Sequence, residues 1–99
     1  MKKVIVIYGK PEDAAAFDRH YLEIHVPLVH KMPFLKSFEF SKGGVQSSSV
    51  EQPPHLVAIL GYASDEDREA SLASPEGKAA VADVGNFASG GVTILTATF

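Results

Sequence analysis

Histidine is the residue type in this sequence best suited to chemistry at neutral pH. Three of the four histidines, His20, His25 and His30, lie in one segment, RHYLEIHVPLVHKMP, and the chain has no cysteine. An imidazole exchanges its proton at an ordinary pKa of about 6.5, and it is also a common metal ligand. The segment therefore allows three interpretations: a metal site, an acid–base centre with one active histidine, or helix surface residues without a chemical role.

The spacing of these histidines argues against a metal site. Five residues of a regular α-helix turn the side chain by about 140°, so rings spaced by five leave the helix in different directions. Histidines that bind zinc from one helix are spaced by three or four residues. We therefore expect no metal ion here, and we expect His20 and His30 to lie on solvated faces of the helix.

His25 is the candidate catalytic acid or base, with Tyr21 beside it as a group that orients a ligand. His25 follows Tyr21 by four residues and Phe17 by eight, so it lies on the flank of the apolar face of the predicted helix. We expect a substrate pocket between this helix and a sheet, lined by Tyr8, Phe17, Ile24, Leu28, His55 and Tyr62. The alternative is a core histidine that is hydrogen-bonded and takes no part in chemistry.

The composition argues against several other classes of function. Hydrophobic residues make up 45% and charged residues 21% of the 99 residues, as in a folded soluble domain. A net charge of −3 without a basic stripe argues against nucleic acid as a partner. The apolar run after Lys3 is too short for a signal peptide, so we expect a cytoplasmic protein without a membrane span. YGKPED lacks the glycines of a phosphate-binding loop, and no motif indicates a cofactor.

The first predicted element precedes the histidine segment, and the second contains it. KVIVIYG is β-branched and apolar on both alternating sides, which predicts a strand covered on both faces. From Asp13, a suitable N-cap, apolar residues recur at helical spacing to about Val26. Pro27 has no N–H to donate, so we expect a kink there and a short second helical piece that ends before Pro33.

The remaining elements complete a β-α-β-β-α-β order. LKSFEFSK predicts a strand, GGVQSSSVEQPP a loop, and HLVAILGYA a strand in which Gly61 suggests a bulge. A helix that opens near Ser64 is interrupted at Pro75, and GGVTILTATF forms a closing strand. This order predicts one α+β domain over residues 1–99, ferredoxin-like, with a four-stranded antiparallel sheet and both helices on one face.

The apolar pattern of the strands also predicts a partner chain. The first, third and fourth strands are apolar on both faces, whereas the helices of one chain cover only one face of the sheet. A second copy that packs sheet on sheet about a twofold axis would cover the other face, because isologous pairing lets one surface bury itself. We therefore expect a homodimer.

The segment VIVIYGKPEDAAAFDRHYLEIHVPLVHKMP resembles the EthD family, and the resemblance covers nearly the whole chain. The matching features are a strand ending in Tyr-Gly-Lys-Pro, then Asp-x-x-x-Phe-x-x-x-Tyr, then His25 two residues before Pro27. The family often has Pro-Gly-Leu where this chain has Pro-Phe-Leu, with Phe34 in the glycine position. The resemblance implies a dimeric α/β barrel with a cleft between each sheet and its helices, and a candidate catalytic histidine at position 25.

The resemblance implies a range of functions rather than one reaction. The family is associated with catabolism of ethers and other small organic compounds, and the wider group includes cofactor-independent isomerases, monooxygenases and dehydratases. Our first hypothesis is a cofactor-independent enzyme, an oxidoreductase or isomerase in ether or aromatic degradation, that acts on a small-molecule ligand with His25 as general acid or base. The alternative is a non-catalytic dimeric module for small-ligand binding or an accessory role.

Overall fold

The computed structural model describes residues 1–48 and 52–99. In chain order the elements are β1 (Lys2–Tyr8), α1 (Ala14–His20), a π-helical segment (Tyr21–His25), α2 (Val26–His30), β2 (Ser37–Phe40), β3 (Leu56–Tyr62), α3 (Asp65–Ala73), α4 (Pro75–Val84) and β4 (Val92–Thr98). The predicted element order and the α+β, ferredoxin-like fold are confirmed. Positions 49–51 of the predicted loop lie outside the described residues. Among the helices of the described residues, none is long and apolar enough to cross a membrane.

The four strands form one antiparallel sheet in the order β2-β3-β1-β4. β1 lies between β3 and β4, with Val4 opposite Leu60 on one side and Thr96 on the other. Pairing continues without a break through Gly61, so the predicted bulge is wrong. A Cβ atom at this position would collide with the side chain of Ser37, and the glycine therefore serves the close approach of β2 to β3.

The sheet has two apolar faces, and the helices cover one of them. The covered face carries the buried residues Val4, Val6, Tyr8, Leu56, Ala58, Leu60 and Tyr62. Alternation along the strands places the other apolar set, Ile5, Ile7, Val57, Ile59 and Leu95, on the opposite side, which we call the open sheet face. The register puts Ile5 directly between Ile59 and Leu95, and Leu95 is 48% exposed. β1 and β3 thus have one face buried beneath the helices and one apolar face open, as expected from the sequence. β4 differs, because Val92 and Ile94 on the helix side are also exposed.

The histidine segment is helical from Arg19 to His30, but it is not one regular α-helix. Asp13 caps α1 as predicted, with its Oδ1 accepting a hydrogen bond from the N–H of Ala16 at 3.0 Å. The next turn is wider, because the N–H of Val26 donates to the C=O of Tyr21, five residues earlier. Pro27 lies in the first turn of α2, where a missing N–H is tolerated. The break predicted near Pro27 is present, but its form, a π-helical turn ahead of the proline, was not predicted.

The second helical region is broken where the sequence predicts. The Oγ of Ser64 accepts from the N–H of Asp67 at 3.1 Å and caps α3, and the Oγ of Ser74 accepts from the N–H of Gly77 at 3.0 Å and caps α4. Pro75 is the first residue of α4, the position that proline favours. On α4 the buried residues are Gly77, Ala80 and Asp83, which recur at a spacing of three. This spacing directs the carboxylate of Asp83 toward the interior, where it meets the histidine segment.

The turn that follows α2 contains a residue with a left-handed backbone. Phe34 has a φ of 66°, and its side chain lies 54% exposed. Glycine adopts this conformation without a steric penalty, whereas a residue with a Cβ loses about 1–2 kcal/mol. Phe34 therefore adopts, at some cost in stability, a backbone conformation that a glycine adopts freely.

Candidate functional site

The centre of the candidate site is one carboxylate held by two imidazoles. The Nε2 of His20 lies 2.8 Å from Oδ1 of Asp83, and the Nδ1 of His25 lies 3.0 Å from Oδ2. His25 is 4% exposed and Asp83 is 6% exposed, so the pair is shielded from solvent. A carboxylate in such surroundings requires donors to its oxygens, and the two rings provide them.

The π-helical turn explains why two histidines five residues apart reach the same carboxylate. In an i→i+5 turn, residues five apart lie above one another, whereas in an α-helix they diverge. The prediction that His20 lies on a solvated face is therefore wrong, since its ring bonds to Asp83 and packs 5.2 Å from the ring of Phe87. His30 is exposed, as predicted, with its ring against the edge of Phe38.

Hydrogen bonds keep Asp83 ionised. Burial would raise the pKa of this carboxyl, but hydrogen bonds from Asn86, His20 and His25 outweigh burial and lower it. The amide Nδ2 of Asn86 donates to Oδ1 at 3.0 Å, so three donors converge on the two oxygens. Asp83 thus provides a fixed negative charge beside His25.

The carboxylate also fixes the tautomer of His25. An ionised carboxylate only accepts hydrogen bonds, so the Nδ1 of His25 carries the proton and Nε2 carries the lone pair. Burial lowers the pKa of His25 more than the bond to Asp83 raises it, so the ring is neutral near pH 7. The arrangement therefore presents a neutral imidazole whose Nε2 can accept a proton.

Two tyrosines lie beside this pair on the interior side. The ring of Tyr21 lies 5.4 Å from that of His25 and 5.7 Å from that of Tyr8. Burial raises the pKa of both phenols, so both remain protonated donors. The hydroxyl of Tyr21 is buried without a hydrogen-bond partner among the described residues. Such an unsatisfied group is costly, and a ligand oxygen is one way to satisfy it.

Two cavities adjoin these residues, and they differ greatly in size. A cavity of about 60 Å³ lies between helices and sheet, bounded by Tyr8, Tyr21 and His25 together with apolar side chains. A chamber of about 960 Å³ lies beyond Tyr21, lined also by Phe40 and His55. We call the larger space the loop chamber, because the segments on either side of residues 49–51 contribute to its wall. Tyr21 belongs to the walls of both spaces.

The predicted pocket residues fall into three groups. Tyr8 and Tyr21 line the small cavity, and His55 lines the loop chamber, with its Nε2–H donating to Asp18 Oδ1 at 2.8 Å. Phe17 and Leu28 line neither of these cavities and instead pack in or against the core. Two further predictions are wrong. Ile24 is 48% exposed, since the π-helical turn rotates it outward.

The second of these concerns Tyr62, which lines neither the small cavity nor the loop chamber. Tyr62 pairs with Lys2 at one end of the sheet, whereas Tyr8 pairs with Leu56 at the other end. The hydroxyl of Tyr62 bonds to Ser71 Oγ at 2.9 Å beneath α3, where both side chains are fully buried. Because strand alternation gives the face but not the distance along the strand, sequence pattern alone placed Tyr62 in the pocket.

Asp83 is the site residue that sequence reasoning missed. It lies in an apolar stretch, three residues after Ala80 and four before Phe87, both of which are buried. An acid in register with an apolar helix face signals a buried carboxylate, which needs a partner. Across residues 1–48 and 52–99, no group of three histidine or acidic side chains is arranged to hold a metal ion.

Comparison with known sequences gives a family and a close relative. The sequence model of the EthD domain matches residues 10–91. An uncharacterised 11.0 kDa protein of Rhodococcus erythropolis, encoded in the thcB–thcC intergenic region, is 45% identical over 97 residues. This alignment covers 96% of the present chain and 91% of the relative.

Solved structures with the same fold include one with substantial sequence identity. The crystal structure of an EthD (ethyl tert-butyl ether D) family protein from Bacillus halodurans is similar with a TM-score of 0.90 at 32% identity, covering 100% of this chain and 98% of that one. A dimeric ferredoxin-like protein from Thermobifida fusca gives a TM-score of 0.73 at 12% identity, covering 99% and 90% of the two chains. The second likeness concerns the fold alone.

Proposed function

This chain belongs to the EthD family, and on that premise we propose that it is a cofactor-independent enzyme that acts on a small, partly apolar organic molecule by proton transfer. The observation that carries the proposal is the buried hydrogen bond between His25 and Asp83, which leaves Nε2 of the imidazole as a base. A buried, oriented histidine with a perturbed pKa is typical of acid–base centres. The setting would be a catabolic pathway for ethers or aromatic compounds.

The catalytic step follows from the tautomer of His25. Nε2 accepts a proton from an acidic C–H or O–H of the substrate, and the electron pair of that bond stays on the substrate as an enolate or alkoxide. The resulting imidazolium is stabilised by the carboxylate of Asp83, which His20 holds from the other side. Return of the proton to a different carbon of the enolate completes an isomerisation. In a dehydration, the enolate expels a β-hydroxyl, which takes up the proton of the imidazolium and leaves as water, so that neutral His25 is restored.

Tyr21 is the second group that we assign to this chemistry. Its phenol is protonated because burial raises its pKa, and its hydroxyl has no partner among the described residues. A neutral donor beside the base suits an oxygen on which negative charge develops. We therefore propose that Tyr21 donates to the substrate oxygen while His25 accepts the proton.

We propose further that the working form is a homodimer joined through the open sheet face. The apolar residues Ile5, Ile59 and Leu95 lie side by side on that face. An apolar surface of this extent is unusual for a soluble monomer. The Thermobifida fusca protein of the same fold is described as dimeric, which supports the same assembly here. A cytoplasmic location, supported by the absence of cysteine, belongs to the same proposal.

One observation favours the alternative, a dimeric module that binds a small ligand without catalysis. The cavity beside His25 is about 60 Å³, which is small for an organic substrate, whereas the larger loop chamber does not include His25 in its wall. Catalysis then requires the side chain of Tyr21 to move, so that a substrate in the loop chamber reaches Nε2. A binding module requires no such movement.

Proton transfer can be measured before the natural substrate is known. The protein is incubated in D₂O with a panel of small ketones and lactones, and deuterium incorporation next to the carbonyl is followed by ¹H NMR. We expect exchange catalysed by the wild type, reduced about 100-fold or more in His25→Gln and unchanged in His30→Gln, the matched exposed control. Absence of catalysed exchange across the panel, or equal exchange in His25→Gln, would contradict the enzyme proposal and leave the binding module.

A further inference from the structure

The loop chamber is the larger of the two cavities that Tyr21 lines, and its place in the fold is defined. It lies where β1 and β2 end and β3 begins, beside α1 and the turn that follows it. Its volume of about 960 Å³ lies in the range of about 300–1,000 Å³ that is usual for small-molecule sites. His25 does not contribute to the wall, so the chamber is a site of its own.

The described wall of the chamber carries a surplus of positive charge. Lys10 and Lys42 line it, and Asp18 is the acidic residue among the described lining residues. The carboxylate of Asp18 is already bonded to His55 at 2.8 Å. The two lysines and Asp18 give a local charge of +1, on a chain whose net charge is −3, with histidines left out of both counts. Neither lysine has an ion-pair partner among the described residues, so both are available to an anion.

The interior of the chamber is apolar and aromatic. The rings of Tyr21 and Phe40 meet edge to face at 5.2 Å, and Leu56 and Leu22 extend the same surface. The ring of His55 lies above this surface, held by Asp18 and packed 4.7 Å from Phe17. A ligand with an aromatic or aliphatic body is thus favoured on one side and a charged group on the other.

We propose that the loop chamber binds a small organic carboxylate, with its apolar body on Tyr21 and Phe40 and its carboxylate facing Lys10 and Lys42. The binding site stands on the residues of the chamber itself. Its role as the substrate site rests on the proposed function, because Tyr21 is the side chain that separates the chamber from the cavity beside His25. The substrate class then becomes a carboxylic acid with an acidic C–H or O–H next to its apolar body.

The test compares two probes of nearly equal shape, 1-naphthoate and the neutral 1-naphthylmethanol. Binding is measured by titration calorimetry at low ionic strength, where charge attraction is least screened. We expect 1-naphthoate to bind about tenfold or more tightly than the alcohol, since two lysines act on one carboxylate. Lys10→Gln and Lys42→Gln should each weaken naphthoate binding roughly threefold and leave the alcohol unchanged. Lys31→Gln, an exposed lysine outside the chamber, is the matched control.

Two further measurements keep this inference separate from the enzyme proposal. In ¹⁵N HSQC spectra, naphthoate should shift the amides of His55 and Tyr21 but not that of Lys31. Naphthoate should bind His25→Gln as it binds the wild type. Equal affinity for both probes, or no effect of the two chamber lysines, would overturn the carboxylate site whether or not deuterium exchange is seen. Selective binding without catalysed exchange would uphold the site and contradict the enzyme proposal.

Discussion

The buried hydroxyl of Tyr21 offers a prediction whose sign is unusual: its removal should stabilise the protein. Tyr21 is 1% exposed, and its hydroxyl has no hydrogen-bond partner among the described residues. A buried polar group without a partner costs about 1–3 kcal/mol. Tyr21→Phe keeps the ring, its stacking on Phe17 at 5.8 Å and its edge contact with Tyr8 at 5.7 Å.

The expected gain in the free energy of unfolding is about 1 kcal/mol, at the lower end of that cost because the site can relax around the hydroxyl. For a domain of this size, the gain corresponds to a rise in Tm of about 4–8 °C. Urea unfolding followed by circular dichroism measures it, at one fixed protein concentration because assembly also contributes to stability. Catalysed deuterium exchange should fall in the same variant, since the donor to the substrate oxygen is lost.

Tyr62→Phe is the matched control, because the same atom is removed from an equally buried tyrosine that has a partner. The hydroxyl of Tyr62 bonds to Ser71 Oγ at 2.9 Å, and both residues are fully buried. The free energy of unfolding of this variant should be lower by about 1 kcal/mol or more, because Ser71 is left without its partner. We therefore expect the free energy of unfolding to rise in Tyr21→Phe and to fall in Tyr62→Phe. If Tyr21→Phe lowers the free energy of unfolding as much as Tyr62→Phe does, the Tyr21 hydroxyl has a hydrogen-bond partner. That result would refute its assignment as a free donor for the substrate oxygen.

Three further predictions test the interface, the histidine and the turn. Ile59→Lys places a charge on the open sheet face and should convert the dimer into a monomer, as measured by sedimentation velocity. The control Ala79→Lys, on the exposed side of α4, should leave the dimer intact. A monomeric wild type would contradict the proposed interface. Burial lowers the pKa of His25, so the unfolded chain binds a proton that the folded chain refuses, and stability should fall as pH drops below about 6.5. Urea unfolding between pH 7 and pH 5 gives the dependence of the unfolding free energy on pH, and this dependence should be weaker in His25→Gln. An unchanged pH dependence would exclude His25 as its source. Phe34→Gly should raise the unfolding free energy by up to about 1 kcal/mol, because the left-handed backbone is relieved, whereas Phe34→Ala should give no gain.

The fold could be predicted because its signals are local and repeated. Alternation in KVIVIYG and HLVAILGYA gave both faces of the central strands, and the surplus apolar face indicated a partner surface. Capping residues gave the helix starts at Asp13 and Ser64, and Pro75 gave the break between α3 and α4. Each of these features is signalled by a few neighbouring residues, so it could be predicted without knowledge of the long-range packing.

The candidate site was only partly predictable, because one turn of the helix departs from the α-helical period. A regular repeat predicts an inward face of Phe17, Tyr21, Ile24 and Leu28, whereas the buried residues are Phe17, Tyr21, His25 and Val29. The π-helical turn shifts the inward face by one residue after Tyr21. The same shift turns Ile24 outward and brings His20 and His25 to one side. His25 was identified from the edge of the predicted face, but its partner Asp83 lies 58 residues away in sequence.

The π-helical turn and Asp83 depend on each other, and this dependence supports the role proposed for His25. A regular helix through this segment would turn Ile24 toward α4 and leave the buried carboxylate of Asp83 without two of its donors, which is a costly arrangement. A π-helical turn without Asp83 would bury His25 with an unsatisfied ring, in a helix type that is rare and frequently found at functional sites. A leucine pair at positions 25 and 83 would pack at least as well in an ordinary helix. Because a simpler core was available, the wide turn is best explained by what it provides: an imidazole whose proton lies on Nδ1 and whose Nε2 lone pair is free.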